Sequence, residues 1–277
     1  QIQEIEPHGF LPNDLYDKRD VLVDQLSGML NIKVDKVPSG GNATKMAEGS
    51  YKITLLDTNG VPMKDSSGVD VSLVDGRKFN ALGIKGGLDS DNDGIQDQPN
   101  GNSITALTVY QNGSTVDLDF TSTGGDVVFS QGSLRGLIES FGYEANGETK
   151  GVYPDLLTKL DKLAYTFGNV FNEVHKAGYQ LDSTDKGEDF FGGITAGDYK
   201  DAAKNIMMND LTTDEIAASS VSEEAGNGQN AINLSNIQNF VLSETNQSLE
   251  GGLGTINLTS LSEIKTGTMK SFYEGII

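Results

Sequence analysis

The chain has 277 residues, with 40 acidic against 20 basic side chains and a net charge of −20. Phosphates would be repelled by such a surface, which excludes nucleic acid and anionic membranes as partners and leaves divalent cations and other proteins. The absence of cysteine removes disulfides, thiolate catalysis and thiolate metal sites together, and no apolar run is long enough to span a bilayer.

The opening "QIQEIEPHG" reads as a helix tail with Gly9 as its stop. In "PNDLYDKRDVLVDQLSGML" Asn13 is the expected N-cap, with Asp14 and Asp17 near the positive helix end. Leu15, Leu22, Leu26 and Met29 are expected to share its inward face. From about residue 35 the period changes. "YKITLLD" precedes Asn59-Gly60, and "VDVSLVD" precedes Gly76. The clearest hairpin is "ALTVYQNGSTVDLDF": Leu107 and Val109 alternate before Asn112-Gly113, and Val116, Leu118 and Phe120 alternate after it. "DVVFS" is expected to be one more strand.

Helical period returns at "GSLRGLIESF", where Leu134, Leu137, Ile138 and Phe141 line one side. The strongest helix follows. Leu156, Leu160, Leu163, Phe167, Val170 and Val174 form a heptad seam between Pro154 in the first turn and Gly178 at the stop. Residues 182–225 are polar and irregular. "NAINLSNIQNFVLS" sets Leu234, Ile237 and Val241 on one face, and "LSEIKTGTMKSFYEGII" starts another helix. The expected class is α+β: a discontinuous helical bundle (1–34, 131–181 and 226–277) with an inserted antiparallel β domain (35–130). Both ends read as cut from a longer protein.

Three features bear on chemistry. "DSDNDGIQDQPNG", residues 89–101, follows the carboxylate ladder of a calcium loop. Asp89, Asp91 and Asp93 would supply positions 1, 3 and 5, the Ile95 carbonyl position 7, and Asp97 position 9. Gly94 permits the sharp turn, but position 12 is Asn100 rather than a bidentate Glu, and no helices flank the loop. The competing reading is a solvated acidic turn between strands. His8 and His175 have no second His or acid nearby to make a metal pair or a triad. Glycine-rich "GGLG" at 251–254 lacks the Lys-Ser/Thr ending of a phosphate loop. Arg19, in "DKRD", is expected to form a structural ion pair with Asp20 or a neighbouring helix.

Several helical stretches resemble flagellar hook-associated protein 1, the family of the first hook–filament junction protein. "PNDLYDKRDVLVDQLSGMLNIKV", with Asn13, Asp14, Arg19 and Asp20, is similar to its "PNDLLDQRD" signature. "GSLRGLIES" resembles another of its segments. "LDKLAYTFGNVFNEVHKAGYQL" matches its long helix at Leu160, Asp161, Leu163, Ala164, Val170, Asn172, His175, Gly178 and Leu181. "FFGG", "EIAAS", "GNGQNAINLSNIQN" and "SFYEGII" follow in the family's order. The resemblance covers about half the chain, all of it in the helical parts; the 35–130 region matches poorly.

The resemblance implies a structural subunit rather than an enzyme. Such a subunit leaves the cell through the flagellar type III export channel and adapts hook to filament in the extracellular flagellum. Implied partners are copies of itself, the neighbouring hook protein, the second junction protein and an export chaperone. His175 and Arg19 are implied to be packing residues. The alternative reading is a secreted calcium-binding β module, or an adhesin, on a helical stalk.

Overall fold

The computed structural model describes residues 1–96, 98–99, 103–111, 113–120 and 129–277. The chain divides into two compact units, Gln1–Pro154 and Asp155–Ile277.

The first unit opens with α1 (Ile2–Ile5) and a 3-10 turn (Glu6–His8), which Gly9 stops at a φ of 87°. Helix α2 (Asn13–Met29) follows. The Tyr16 N–H donates to the Pro12 carbonyl at 3.1 Å. Pro12 is therefore the cap, Asn13 is the first helical residue, and no side chain caps this end. The expected Asn13 cap is corrected by one position.

Four strands form an antiparallel meander in the order β1 (Ile32–Val37), β2 (Ser50–Leu55), β3 (Ser72–Asp75), β4 (Lys78–Phe79). Next come β5 (Ala81–Lys85), β6 (Gly87–Leu88), β7 (Gln98–Pro99), β8 (Ala106–Gln111) and β9 (Ser114–Asp119). Strands β5, β8 and β9 make a second antiparallel sheet in that order, and β6 pairs with β7. The β8–β9 register sets Leu107 opposite Leu118 and Val109 opposite Val116, as the alternation predicts. Gly113 takes a φ of 78°, which a two-residue hairpin turn requires; Asn112 lies outside the described residues. Most of "DVVFS" does too. The unit continues with α3 (Ser133–Phe141) and the hairpin β10 (Tyr143–Ala145), β11 (Glu148–Lys150).

One core joins these pieces. Leu30, Ile53, Leu55, Val71, Leu73, Leu107, Val109, Phe129 and Ile138 are all buried in it, and Val23 and Leu26 pack against them. Each such aliphatic side chain contributes roughly 1.5–3 kcal/mol relative to exposure. Helices α2 and α3 thus share a core with the strands. The expected partition, with 35–130 as a separate insertion, differs from this grouping because the inward stripe of α2 faces the sheets. That stripe is Tyr16, Arg19, Val23, Leu26 and Leu30, at helical spacing. Of the expected face, Leu22 and Met29 are instead 63% and 48% exposed. Polar anchors at Tyr16 and Arg19 fix the rotation of the helix, as described below. In α3, Ile138 is buried but Leu137 is exposed.

The second unit is built on α4 (Val152–Ala177). The chain then forms β12 (Phe191–Gly192), α5 (Ala202–Asn205) and β13 (Met207–Met208), with β12 and β13 paired. Helix α6 (Gln229–Asn236), the hairpin β14 (Asn246–Ser248) and β15 (Thr255–Asn257), α7 (Leu258–Leu261) and α8 (Met269–Glu274) complete it. Val170 and Val174 are fully buried in a core with Ile237, Phe240, Leu242, Leu258, Ile264 and Met269. α6 ends at Asn236 and turns 3-10, so Val241 leaves the face it was expected to share with Leu234 and Ile237 and is exposed.

Candidate functional site

The acidic loop joins β6 to β7. Its geometry follows from short Asp side chains folding back on the following backbone. The Asp93 N–H donates to Asp89 Oδ1 and to Asp91 Oδ1, each at 3.2 Å. The Gly94 N–H donates to Asp89 Oδ2 at 2.8 Å, and the Ile95 N–H to Asp93 Oδ1 at 2.8 Å. Asp89, Asp91 and Asp93 bring a carboxylate oxygen each to within 4.8 Å of one another. These are hard oxygens of the kind a divalent cation takes. Asp97 and Asn100 lie outside the described residues.

The "DKRD" motif places Arg19 at the junction of α2 with the β1–β2 hairpin. Arg19 Nε donates to Asp20 at 3.0 Å and Nη1 to the Gly49 carbonyl at 3.0 Å, while Nη2 pairs with Glu48. Its guanidinium lies 3.6 Å from the centre of the Tyr51 ring. A planar fork that bonds and stacks at once is a task for Arg and not for Lys. The Arg19 hydrogen bond, with Lys36 adding to it, holds the Glu48 carboxyl below its ordinary value. Burial of Asp20 acts against its ionisation, but hydrogen bonds from Arg19 and Tyr51 outweigh it and keep that carboxyl low as well. Asn13 and Asp14 are exposed at the start of the helix.

Glu6 has no counterpart among the expected residues. It is fully buried. Tyr16 and Ser39 donate their hydroxyls to its two oxygens, and the Gly49 N–H donates to Oε1 at 3.0 Å. Burial pushes its carboxyl up, yet these donors prevail and hold it below the ordinary value. A charged residue seven places before the start of α2 reads in the sequence as a solvated turn. Only the fold brings three donors to it.

In the second unit the seam of α4 does two things. Val170 and Val174 fill the core, with Leu163 packed against it. Leu160, Leu163 and Phe167 line an apolar groove of about 1010 Å³ with Met207, Met208 and Tyr273. The opposite side of the helix carries buried polar groups that tie down the irregular 182–225 segment. Asn172 makes two 2.8 Å bonds to the Phe191 backbone. Asn230 donates to the Val174 carbonyl at 3.0 Å and the Ala217 carbonyl at 2.7 Å. His175 is fully buried. Its Nε2 accepts from the Ala217 N–H at 3.0 Å, so Nδ1 carries the proton and donates to the Glu188 carbonyl at 2.7 Å.

Both ring nitrogens of His175 are therefore committed, and His8 binds the Glu4 carbonyl from an exposed turn. Among the described residues neither His meets a nucleophile. What the fold does define is an α+β structural module, held by buried side-chain-to-backbone bonds and presenting apolar surface. A family model described as the flagellar hook-associated protein FlgK helical domain matches residues 1–191, and the chain belongs to that family. Flagellar hook-associated protein 1 of Bacillus subtilis (strain 168) is 37% identical over 244 residues, which is 86% of this chain and 43% of that protein. The chain thus spans less than half the length of this relative. The family is one of structural flagellar proteins and not of enzymes.

Proposed function

We propose that this chain belongs to a structural subunit of the hook–filament junction, exported by the flagellar type III route and adapting hook to filament outside the cell. The family match over residues 1–191 carries this reading. The polar ties of Arg19, Asn172 and His175 support it, because they fix segments in place and offer no group for chemistry. The partners we propose are copies of the same subunit, the hook protein, the second junction protein and an export chaperone. The alternative of a calcium-binding adhesin on a stalk is not favoured. Immunogold electron microscopy against the chain tests the role. Label is expected at the base of the filament, and cells lacking the gene should carry hooks without filaments. Label spread along the whole filament, or normal filaments in the deletion, refutes it.

Within this role we propose that the 89–101 loop holds one Ca²⁺ through Asp89, Asp91, Asp93, the Ile95 carbonyl and Asp97. The supporting observation is the convergence of three carboxylates within 4.8 Å. An affinity in the roughly millimolar range of extracellular sites is expected. Ca²⁺ at ten times its Kd then stabilises the folded chain by about 1.4 kcal/mol. Calorimetry should show chelator lowering the transition of the first unit and Asp93→Ala abolishing the effect. Superimposable curves with Ca²⁺ and with chelator refute the site.

A further inference from the structure

The buried carboxylate of Glu6 is a group that the assembly role leaves unused. It sits where three pieces of chain meet: the 3-10 turn, α2 and the long connection between β1 and β2. Each contributes to its surroundings. Tyr16 comes from α2, and Ser39 and Gly49 come from the two ends of the connection. The connection also lies directly on the turn. The Asn42 N–H donates to the Pro7 carbonyl at 3.1 Å, and a Cβ on Gly41 would stand 2.9 Å from that of Pro7.

All three groups that close this site donate to the ionised carboxylate; two are hydroxyls, which can also accept, and the Gly49 N–H cannot. A carboxylate accepts at both oxygens, whereas a carboxylic acid must place a proton on one of them. Protonation turns charge-assisted hydrogen bonds into weaker neutral ones and obliges a hydroxyl to turn its own proton away. The other charged and titratable groups nearby are engaged elsewhere. On the side of the turn itself, His8 binds the Glu4 carbonyl and stays exposed. From α2, Arg19 pairs with Asp20 and Glu48. From β1, Lys36 pairs with Glu48 at 3.3 Å. From β2, Tyr51 donates to Asp20 at 3.0 Å. Lys45, within the connection, is exposed. Among the described residues no cation pairs with Glu6, so its charge is held by hydrogen bonds alone.

We infer that Glu6 is an acid-sensitive latch, whose ionised carboxylate closes the 38–49 connection over the N-terminal turn and whose protonation releases that connection while the strands stay formed. The sign follows from linkage. A carboxyl held below its unfolded value in the closed state stabilises closure above that unfolded value, and the stabilisation is lost as pH falls through the folded value. Glu48, also held low, sits at the same end of the connection and adds in the same direction.

Amide hydrogen exchange on the full 277-residue chain, corrected for intrinsic exchange, tests this. On acidification from pH 7 to about pH 3, protection over residues 39–49 should fall about tenfold for each pKa unit separating closed and open Glu6. Protection of Ile53–Leu55 in β2 should persist. Glu6→Gln puts a neutral amide among these partners, so protection of the connection should already be lowered at pH 7 and its pH dependence reduced to the part that Glu48 supplies. Ser39→Ala removes one donor and leaves the other two, so it should move the acid midpoint upward. The latch is overturned if residues 39–49 keep their protection at pH 3, or lose it only together with β2. It is also overturned if Glu6→Gln follows the parent curve. Should Glu6→Gln fail to fold, an unmoved midpoint in Ser39→Ala overturns it alone.

Discussion

Replacing Arg19 by Ala removes one of the two polar anchors that fix the rotation of α2, and the cost can be built up from the structure. The 3.0 Å bond to the Gly49 carbonyl contributes about 1 kcal/mol. The stack on Tyr51 at 3.6 Å adds about 0.5–1 kcal/mol. The pairs with Asp20 and Glu48 involve carboxylates that are 53% and 31% exposed, and solvent screening limits each to roughly 0.2–1 kcal/mol. The sum is about 2–4 kcal/mol. For a unit of this size that lowers the melting temperature by about 4–16 °C. Arg19→Lys keeps the charge but loses the fork, and is expected to lose more than half as much stability. Urea unfolding followed by tyrosine fluorescence gives the values, since Tyr16 and Tyr51 flank the guanidinium. A cycle with Glu48→Gln should return a coupling of about 0.5–1 kcal/mol. If Arg19→Ala falls within about 0.5 kcal/mol of the parent, the usual range of neutral surface changes, the anchor role is wrong.

Other perturbations reach different parts of the chain. Val174→Ala, at a fully buried position of α4, should destabilise the second unit by about 2 kcal/mol in calorimetry, from lost transfer energy and the cavity left behind. Gly49→Ala should cost more than about 2 kcal/mol in the first unit, because φ is 76° and a Cβ would stand 2.2 Å from the Val37 carbonyl oxygen. Burial and the Asp20 hydrogen bond push the Tyr51 phenol up from 10.0 to about 12, against the opposing charge of Arg19. Its folded value is raised, so its contribution is complete below pH 10 and is lost as pH rises toward 12. Burial and the bond to Glu6 also push the Tyr16 phenol up, so ultraviolet titration should show both tyrosines ionising late, and Tyr51→Phe should remove one of the late steps.

The parts of the fold legible in the sequence are those where local chemistry is decisive. Asn112-Gly113 between alternating runs gives the β8–β9 register, because only a tight turn joins two such strands at that spacing. The length of α4 follows from an unbroken apolar period ending at Gly178. The rotation of α2 was not legible. Leu22 and Met29 look inward by hydrophobicity, yet Tyr16 and Arg19 decide the face through partners some 10 to 32 residues away. Likewise Glu6 gains its donors from Ser39 and Gly49, and His175 its partners from Glu188 and Ala217. Polar residues buried by distant backbone carry no local signal, since composition marks them as surface.

The anchors of the first twenty residues have a consequence for how the chain acquires its shape. Gln3 binds Arg77, Glu6 binds Ser39 and Gly49, and Arg19 binds Glu48. These residues emerge before their partners in any N-to-C delivery, and the partners follow up to 74 positions later. Loop closure over such distances must come before the contacts reward it. Helix α2 therefore waits, half-committed, until the turn after β3 has been delivered, and the first unit sets as one late event rather than residue by residue.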